Sequence, residues 1–521
     1  MRLLGIFLLF LPCVVNSANI LVLETIASPS HHIWIRTLST ALAERGHNVT
    51  SLSADIEKET PENLLYLHLD KLYEVFYNTQ DEDFVKEWDF LGMGKLNPYL
   101  QMIIFLDFPV LTAKGCLKST GFQQLLNYPD DFKFDLIIYD FLADAVLLPF
   151  AQKFNNPPVI ALTAFYAVEY TVPVVGGTFS PSFVPYIFGA ADLDTFCSRL
   201  NNFIISHLDY FLRKHYVMPK VNKLIRKELP WAKDVRELNQ MAKIVLLNKH
   251  PALDLIEPTL PNVISVGGLQ IKRNKGLPKD LQEILDSAKD GVILFSLGTN
   301  VKSAMLGDAR QTEILEAFRS LPQYIFIWKF EVESLPVELP KNVHIRKWVP
   351  QSDLLAHPNL KLFISHCGLL STQEAAWYGV PILGLPVFAD QHQNMKLSLK
   401  TGMALEGDIG KIERNSFRKL IEEMLQNPKY RENARMRSEI FRDQKETPLE
   451  RAVWWTEFVL RHPNMTFMKS PSLQLGLAAR QSWDVLAFLF IVISIGAFIS
   501  MKIICCCYRI CRKKSRKAKK D

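Results

Sequence analysis

Short apolar runs of strand length recur along the chain, each followed by a segment of helical pattern. In the first half they are "NILVLE" (residues 19–24), "NVTSLS" (48–53), "FDLIIYD" (134–140), "PVIALT" (158–163) and "KIVLLN" (243–248). In the second half they are "GVILFSLG" (291–298), "YIFIWKF" (324–330), "NVHIRKW" (342–348), "LKLFISH" (360–366) and "PILGLP" (381–386). Most are apolar at consecutive positions, the pattern of strands covered by helices on both faces of a parallel sheet. Alternation of such strands with helices predicts an α/β fold. Two sets of about five predict two doubly wound sheets. A length of 521 residues also exceeds what one ordinary core accommodates. Between the sets, "LQIKRNKGLPKD" (269–280) is polar, basic and broken by Gly and Pro, and is the predicted linker.

Both ends are apolar in a different way. "MRLLGIFLLFLPCVVNSA" (1–18) has one basic residue, an apolar run and small residues, which predicts a secretory signal peptide. Near the other end "VLAFLFIVISIGAFISM" carries no charge, and a transmembrane helix is predicted over 485–504. The net charge of +6 resides in the final twenty residues, where Lys502, Arg509, Arg512, Lys513, Lys514, Arg516, Lys517, Lys519 and Lys520 face only Asp521. The basicity therefore argues for a cytosolic tail (505–521), not for a nucleic-acid partner. A single-pass type I protein with a lumenal body results. Lys517 and Lys519 also fit a dilysine retrieval signal of the endoplasmic reticulum. Of eight cysteines, only Cys116, Cys197 and Cys367 lie outside the signal and the membrane edge, so no disulfide framework is expected. Asn48 and Asn464 head glycosylation sequons, Asn48 beside a predicted strand that would limit access. The stretch from Phe165 to Tyr216 is rich in aromatics and breaks the strand–helix rhythm, as the wall of an apolar pocket, a membrane-facing surface or plain core would.

Two places carry candidate chemistry. The apolar run at 360–364 ends in Ser365-His366-Cys367-Gly368, followed by Ser371-Thr372-Gln373-Glu374 and a helix. Backbone N–H groups and the helix dipole make that turn a candidate anion site, with donors from His366, Ser371 and Thr372 and close approach at Gly368. In the first half, Ser28-Pro29 is a helix start and Gly46 a stop, so His31 and His32 occupy the first turn of a helix that follows the first strand. The positive helix end favours a neutral imidazole able to accept a proton. Successive helical residues diverge by about 100°, so the two rings cannot face one cleft. Asp140 ends its strand and can orient such a base; Asp144 is expected to be a solvated helix residue. Asp81-Glu-Asp83 and Asp192-Leu-Asp194 spell a metal-binding pair, but neither follows an apolar strand, and no metal or other cofactor is expected.

The spacing Trp348-x-x-Gln351, His366-x-Gly368, Glu374, Asp390-Gln391 resembles the signature of the UDP-glycosyltransferase (UDP-glucuronosyltransferase) family, and "FSLGTNV" (295–301) agrees with it. The histidine pair and "LLSTQE" are similar to the insect branch. The resemblance implies two facing Rossmann-like domains of GT-B type: an acceptor domain (19–268) and a UDP-sugar domain (281–446). It also implies a helix crossing back within 447–484, whose start at Thr447-Pro448 is sound on local grounds. Trp348 would stack on uracil, Gln351 and Glu374 would bond ribose, and Ser296, Gly298, His366, Gly368, Ser371 and Thr372 would surround the diphosphate. Asp390 and Gln391 would face the sugar hydroxyls. Counting back from "RGH" (45–47) selects His31 as the base, with Asp140 as its partner. Leu370 departs from the family, whose members carry Asn there. The activity implied is metal-independent, inverting transfer of glucose or glucuronate from UDP-glucose or UDP-glucuronate to a hydroxyl of a small lipophilic acceptor, as in detoxification at the endoplasmic reticulum membrane. The insect-like motifs imply glucose. A non-catalytic lipophile carrier of the same fold is the alternative, and homo-oligomer formation stays open.

Overall fold

The computed structural model describes residues 17–77, 90–165, 168–189, 192–271, 276–331 and 338–517. Most of the signal segment, Asp81 to Asp83, part of the linker and the last four residues lie outside the described residues.

All ten predicted runs form strands. The first sheet contains β1 (Asn19–Leu23), β2 (Asn48–Ser53), β3 (Leu64–His68), β4 (Leu136–Asp140), β5 (Val159–Thr163), β6 (Ala242–Leu247) and β7 (Val263–Ser265). Its order is β3-β2-β1-β4-β5-β6-β7, and every pairing is parallel. The second contains β8 (Val292–Ser296), β9 (Ile325–Lys329), β10 (Val343–Arg346), β11 (Leu360–Ser365), β12 (Ile382–Gly384) and β13 (Ala404–Glu406), in the order β10-β9-β8-β11-β12-β13, again parallel throughout. The order reverses at β1/β4 and at β8/β11, and the crevice at the carboxyl ends of such strands is where open α/β sheets bind ligands. The strands that sequence missed, β3, β7 and β13, are all sheet edges. Each is short or only half covered, so no continuous apolar run marks it.

Helix Pro29–Glu44 follows β1 and buries Trp34, Ile35, Leu38 and Leu42 against the sheet. It stops where Gly46 takes φ +92°, a conformation that glycine reaches without strain. Ser28 has the extended backbone of a cap, but its hydroxyl does not cap the helix. It meets Ser30 Oγ (3.0 Å) and accepts from Asn300 Nδ2 (3.0 Å), a residue of the second domain. An interdomain contact has taken the group that local reasoning assigned to the helix.

Helix Pro448–Arg461 crosses back to the first domain. Thr447 and Glu450 form a reciprocal capping box at its start. Ala452, Val453 and Val459 join the cluster of Trp34 and Leu38. Glu457 accepts from Arg45 Nε (2.5 Å) and Nη2 (3.1 Å). The last described element is helix Trp483–Lys517. Its segment Trp483–Ile510 has mean hydropathy 2.4 and buries none of its apolar window in the body, so it is a candidate span containing the predicted one. Cys116 and Cys367 are buried and unbridged. Asn48 and Asn464 are both exposed, so the strand does not cover Asn48 as expected.

Candidate active site

A cavity of about 370 Å³ opens between the two sheets at their switch points. His31 reaches it from the helix after β1. Ser296 and Gly298 reach it from the end of β8, and His366 and Gly368 from the turn after β11. Trp348, Gln351, Ser371, Glu374, Asp390 and Gln391 line it too. Asp140 stands behind His31, outside the lining. Thr372 is buried off the cavity, and its hydroxyl has no partner among the described residues.

The histidine pair divides as the helical geometry requires. His31 Nδ1 lies 2.7 Å from Asp140 Oδ2, both nearly or fully buried. The other Asp140 oxygen accepts from the Leu142 N–H (3.1 Å). With Nδ1–H donating to the carboxylate, Nε2 is the nitrogen left to accept a proton. His32 turns away. Its Nδ1 meets Glu24 Oε2 (2.9 Å) and its Nε2 meets Glu57 Oε1 (3.2 Å). Glu24 also accepts from Ser51 (2.7 Å) and Ser53 (3.0 Å). Asp144 corrects the sequence reading. It is not solvated: Arg213 Nη1 donates to its Oδ2 (3.3 Å), and burial raises its carboxyl above the usual range. The helix expected there is a single 3₁₀ turn, Phe141–Ala143, with Asp144 at φ 58° on its far side.

The turn after β11 grips one ring. A Cβ on either Gly298 or Gly368 would overlap the His366 imidazole. Burial and the nearby Lys329 cation lower His366 to about 4, offset in part by a hydrogen bond to the Ser296 backbone. The ring is therefore neutral and serves as a hydrogen-bond group, not as a charge. Ser296 Oγ accepts from the Gly298 N–H (3.2 Å) and holds the turn. Gln351 Nε2 donates to Ser371 Oγ (3.0 Å) and to Glu374 Oε2 (2.6 Å). Burial lifts Glu374 to about 7. Trp348 is 61% exposed, so a face of its indole is open to a flat ring. Asp390 is buried, accepts from Asn394 Nδ2 (2.7 Å) and is lifted by that burial to about 6. Gln391 Oε1 accepts from the Val387 (2.8 Å) and Phe388 (3.2 Å) N–H groups, which fixes the loop that carries Asp390.

The family model for "UDP-glucoronosyl and UDP-glucosyl transferase" matches residues 18–518. The chain belongs to the UDP-glycosyltransferase family. It is 32% identical to a UDP-glycosyltransferase of Dactylopius coccus, over 94% of this chain and 93% of that one. It is 31% identical to a UDP-glucuronosyltransferase of Homo sapiens, over 94% of each. Two solved glycosyltransferases share the fold at 18% identity. The calicheamicin enzyme has TM-score 0.55, covering 86% of this chain and 100% of its own. The kitacinnamycin enzyme has TM-score 0.55, covering 84% and 98%.

The cavity of this UDP-glycosyltransferase is also lined or braced by residues that the sequence did not single out. Lys329, buried at the end of β9, lines the cavity, donates to the Gly298 carbonyl (2.8 Å) and lies 6.0 Å from the Trp348 ring centroid. A lysine ending an apolar strand was the available signal. Gln373 donates to Asn248 Oδ1 (2.9 Å) and accepts from the Gly268 N–H (3.2 Å), tying the helix after the His366 turn, Leu369–Trp377, to the first domain. Leu370, the departure from the family pattern, lines the cavity and packs against the first domain's core. Of the aromatic insertion, Phe165, Tyr170 and Phe188 line the cavity, whereas Phe196, Phe203 and Phe211 are exposed. Among the described residues no group of three or more His, Cys, Asp or Glu is placed to hold a metal ion.

Proposed function

We propose that this enzyme transfers a neutral hexose, of the glucose type, from its UDP-sugar to a hydroxyl of a small lipophilic acceptor, with inversion. The carrying observation is that the His31–Asp140 pair, the glycine-flanked His366 turn and Asp390 all address one cavity. Uracil stacks on Trp348, and ribose bonds Gln351 and Glu374. The diphosphate lies at the N–H groups near Gly368 with His366, Ser371 and the Lys329 cation. Asp390 accepts from a sugar hydroxyl, and Gln391, whose Oε1 is held by the Val387 and Phe388 N–H groups, donates its amide N–H to one. His31 Nε2 takes the acceptor proton as the acceptor oxygen bonds to the anomeric carbon. The bond from that carbon to the phosphate oxygen breaks on the opposite face, and its electron pair leaves with UDP. Asp140 stabilises the imidazolium. Lys329 and the turn's dipoles offset the charge on the departing diphosphate, so the reading is metal-independent.

The choice of a neutral sugar rests on charge. Among the described residues, the Arg and Lys side chains lining the cavity are Arg36, Arg213 and Lys329. Each already has a carboxylate partner: Glu57, Asp144 and Glu331. With Lys329 assigned to the diphosphate and both arginines paired, a glucuronate carboxylate would enter beside Asp390 with no further cation to meet it. The apolar, aromatic first-domain wall supports a lipophilic acceptor. The candidate span and basic tail support a type I anchor in the endoplasmic reticulum membrane with the body in the lumen. The test is transfer of radiolabel from UDP-glucose and from UDP-glucuronate to a panel of phenols on membranes, with wild type and His31→Ala. Label from UDP-glucose, lost in the variant, is expected. Equal or better transfer from UDP-glucuronate would overturn the choice of donor.

A further inference from the structure

The first domain's half of the cavity is walled by side chains such as Ile26, Phe76, Phe108, Leu142 and Ile187. Arg213, like Arg36 of the helix after β1, interrupts this wall with a charged group. It opens a π-helical stretch, Arg213–Val217, set between helices Phe196–Leu212 and Met218–Glu228. Such stretches add a residue to the turn, re-aim its side chains and concentrate at functional sites. The Arg213 guanidinium lies 4.8 Å from the Tyr170 ring centroid, and Tyr170 also lines the cavity. Nη1 donates to Asp144 (3.3 Å), Nη2 lies 3.7 Å from Asp209, and Nε has no partner among the described residues. The side chain keeps 13% of its surface exposed.

Two facts make this more than a structural ion pair. Asp144 follows Asp140 across the single 3₁₀ turn Phe141–Ala143, so one rigid turn holds His31 at one end and Arg213 at the other. A buried ion pair in an apolar wall is also a poor source of stability, since apolar replacements are often neutral or better. Its use lies in what it can bond. With Asp144 and Asp209 both ionised the cluster is net negative, and with one protonated it is neutral. In neither state does it offer positive charge to an anion.

We propose that Arg213 is the polar anchor of the acceptor subsite, donating to a neutral oxygen, a carbonyl or second hydroxyl, at the end of the acceptor opposite the hydroxyl that His31 deprotonates. The proposal rests on His31 being the base, and the experiment separates the two. Full-length enzyme in membranes is given para-phenylphenol and its analogues bearing an acetyl or a carboxylate at the opposite end. Phenol, para-hydroxyacetophenone and para-hydroxybenzoate form a shorter set. Wild type should favour the acetyl member of at least one set over the plain member by about tenfold in kcat/KM, the worth of one hydrogen bond to a charged group. Arg213→Met should bring that ratio to about one, and Arg213→Lys should restore part of it. Because Arg213→Met strands two buried carboxylates, Arg213→Met with Asp144→Asn and Asp209→Asn is run beside it, with the same ratio expected. Acceptor binding is read independently by tryptophan quenching without UDP-sugar. Absence of transfer with the binding preference intact would count against His31 and not against Arg213. No acetyl preference in either set, a preference for carboxylate, or an unchanged ratio in every variant would overturn the proposal.

Discussion

His31 and His32 are neighbours in sequence and belong to different networks. One carboxylate stands behind His31, whereas His32 is clamped between Glu24 and Glu57. His31→Ala is expected to reduce kcat by about 10²–10⁴, the usual worth of a general base, with UDP binding by calorimetry unchanged. His32→Ala is expected to keep most of kcat but to lower the unfolding free energy by about 1–3 kcal/mol, because Glu24 loses a buried donor. Chemical denaturation checks the second figure, and a reversed pattern would exchange their roles. Glu374 gives a pH dependence. Its carboxyl is raised from 4.5 to about 7 by burial, so the empty protein binds more protons than the unfolded chain between these values and loses stability as pH rises through them. The proposed contact with the ribose hydroxyls needs the ionised form. The donor KM should therefore rise as pH falls from 8 to 6, by about tenfold at the lower end, and Glu374→Gln should flatten the profile. At this scale sequence placed His31, Asp140 and His366 at strand ends and helix starts, where the structure also has them, because those positions are legible, and took Asp390 from the family resemblance. It could not locate Asp144, whose partner Arg213 lies 69 residues away.

The elements that carry the site were legible for one physical reason: buried parallel strands must be apolar on both faces. The ten runs so marked are the interior strands and the edge strand β10. The missed strands lie at edges where covering is partial, and the π-helical stretch at Arg213–Val217 has no sequence rule. The turn after β11 is where local structure and function meet most closely. Gly368 has an ordinary φ of −59°, so alanine there meets no backbone strain. What it meets is the His366 ring. Gly368→Ala is expected to push that ring from its place and raise the UDP-sugar KM tenfold or more, while the thermal midpoint moves by only a few degrees (about 1 kcal/mol). Gly298→Ala adds the strain of φ +82° to the same overlap and should cost stability as well. Equal losses of stability in the two variants would contradict the view that Gly368 is there for the ring alone.

At the scale of the molecule, the proposed base and the proposed nucleotide turn belong to different domains, and the proposed reaction needs both held in register. Sequence foresaw two domains from two sets of apolar runs and a linker, whereas the returning helix came from the family resemblance, with only its Thr447-Pro448 start marked locally. It could not foresee the bonds across the cleft, which join residues remote in the chain through polar groups of ordinary appearance. Gln373 is the clearest of these. Its amide donates to Asn248 and accepts from Gly268 N–H and Gln270 Nε2 (3.3 Å). Asn248 in turn donates to the Ala164 carbonyl (2.8 Å), beside the cavity-lining Phe165. Gln373→Ala would leave buried groups on the first domain unpaired, at about 1–3 kcal/mol each, and would loosen the second domain's helix Leu369–Trp377 from the first. If UDP binds the second domain as proposed, its affinity by calorimetry should stay within about twofold, whereas kcat should fall by tenfold or more as reacting groups lose alignment. Gln373→Glu retains the acceptor toward Gly268 and loses the donor toward Asn248, so an intermediate kcat is expected. A variant that lost UDP affinity in step with kcat would place Gln373 in the nucleotide site. A fall in kcat alone would mean that the cleft is held across its width by this side chain, and that the distance between His31 and the anomeric carbon is a property of the whole molecule.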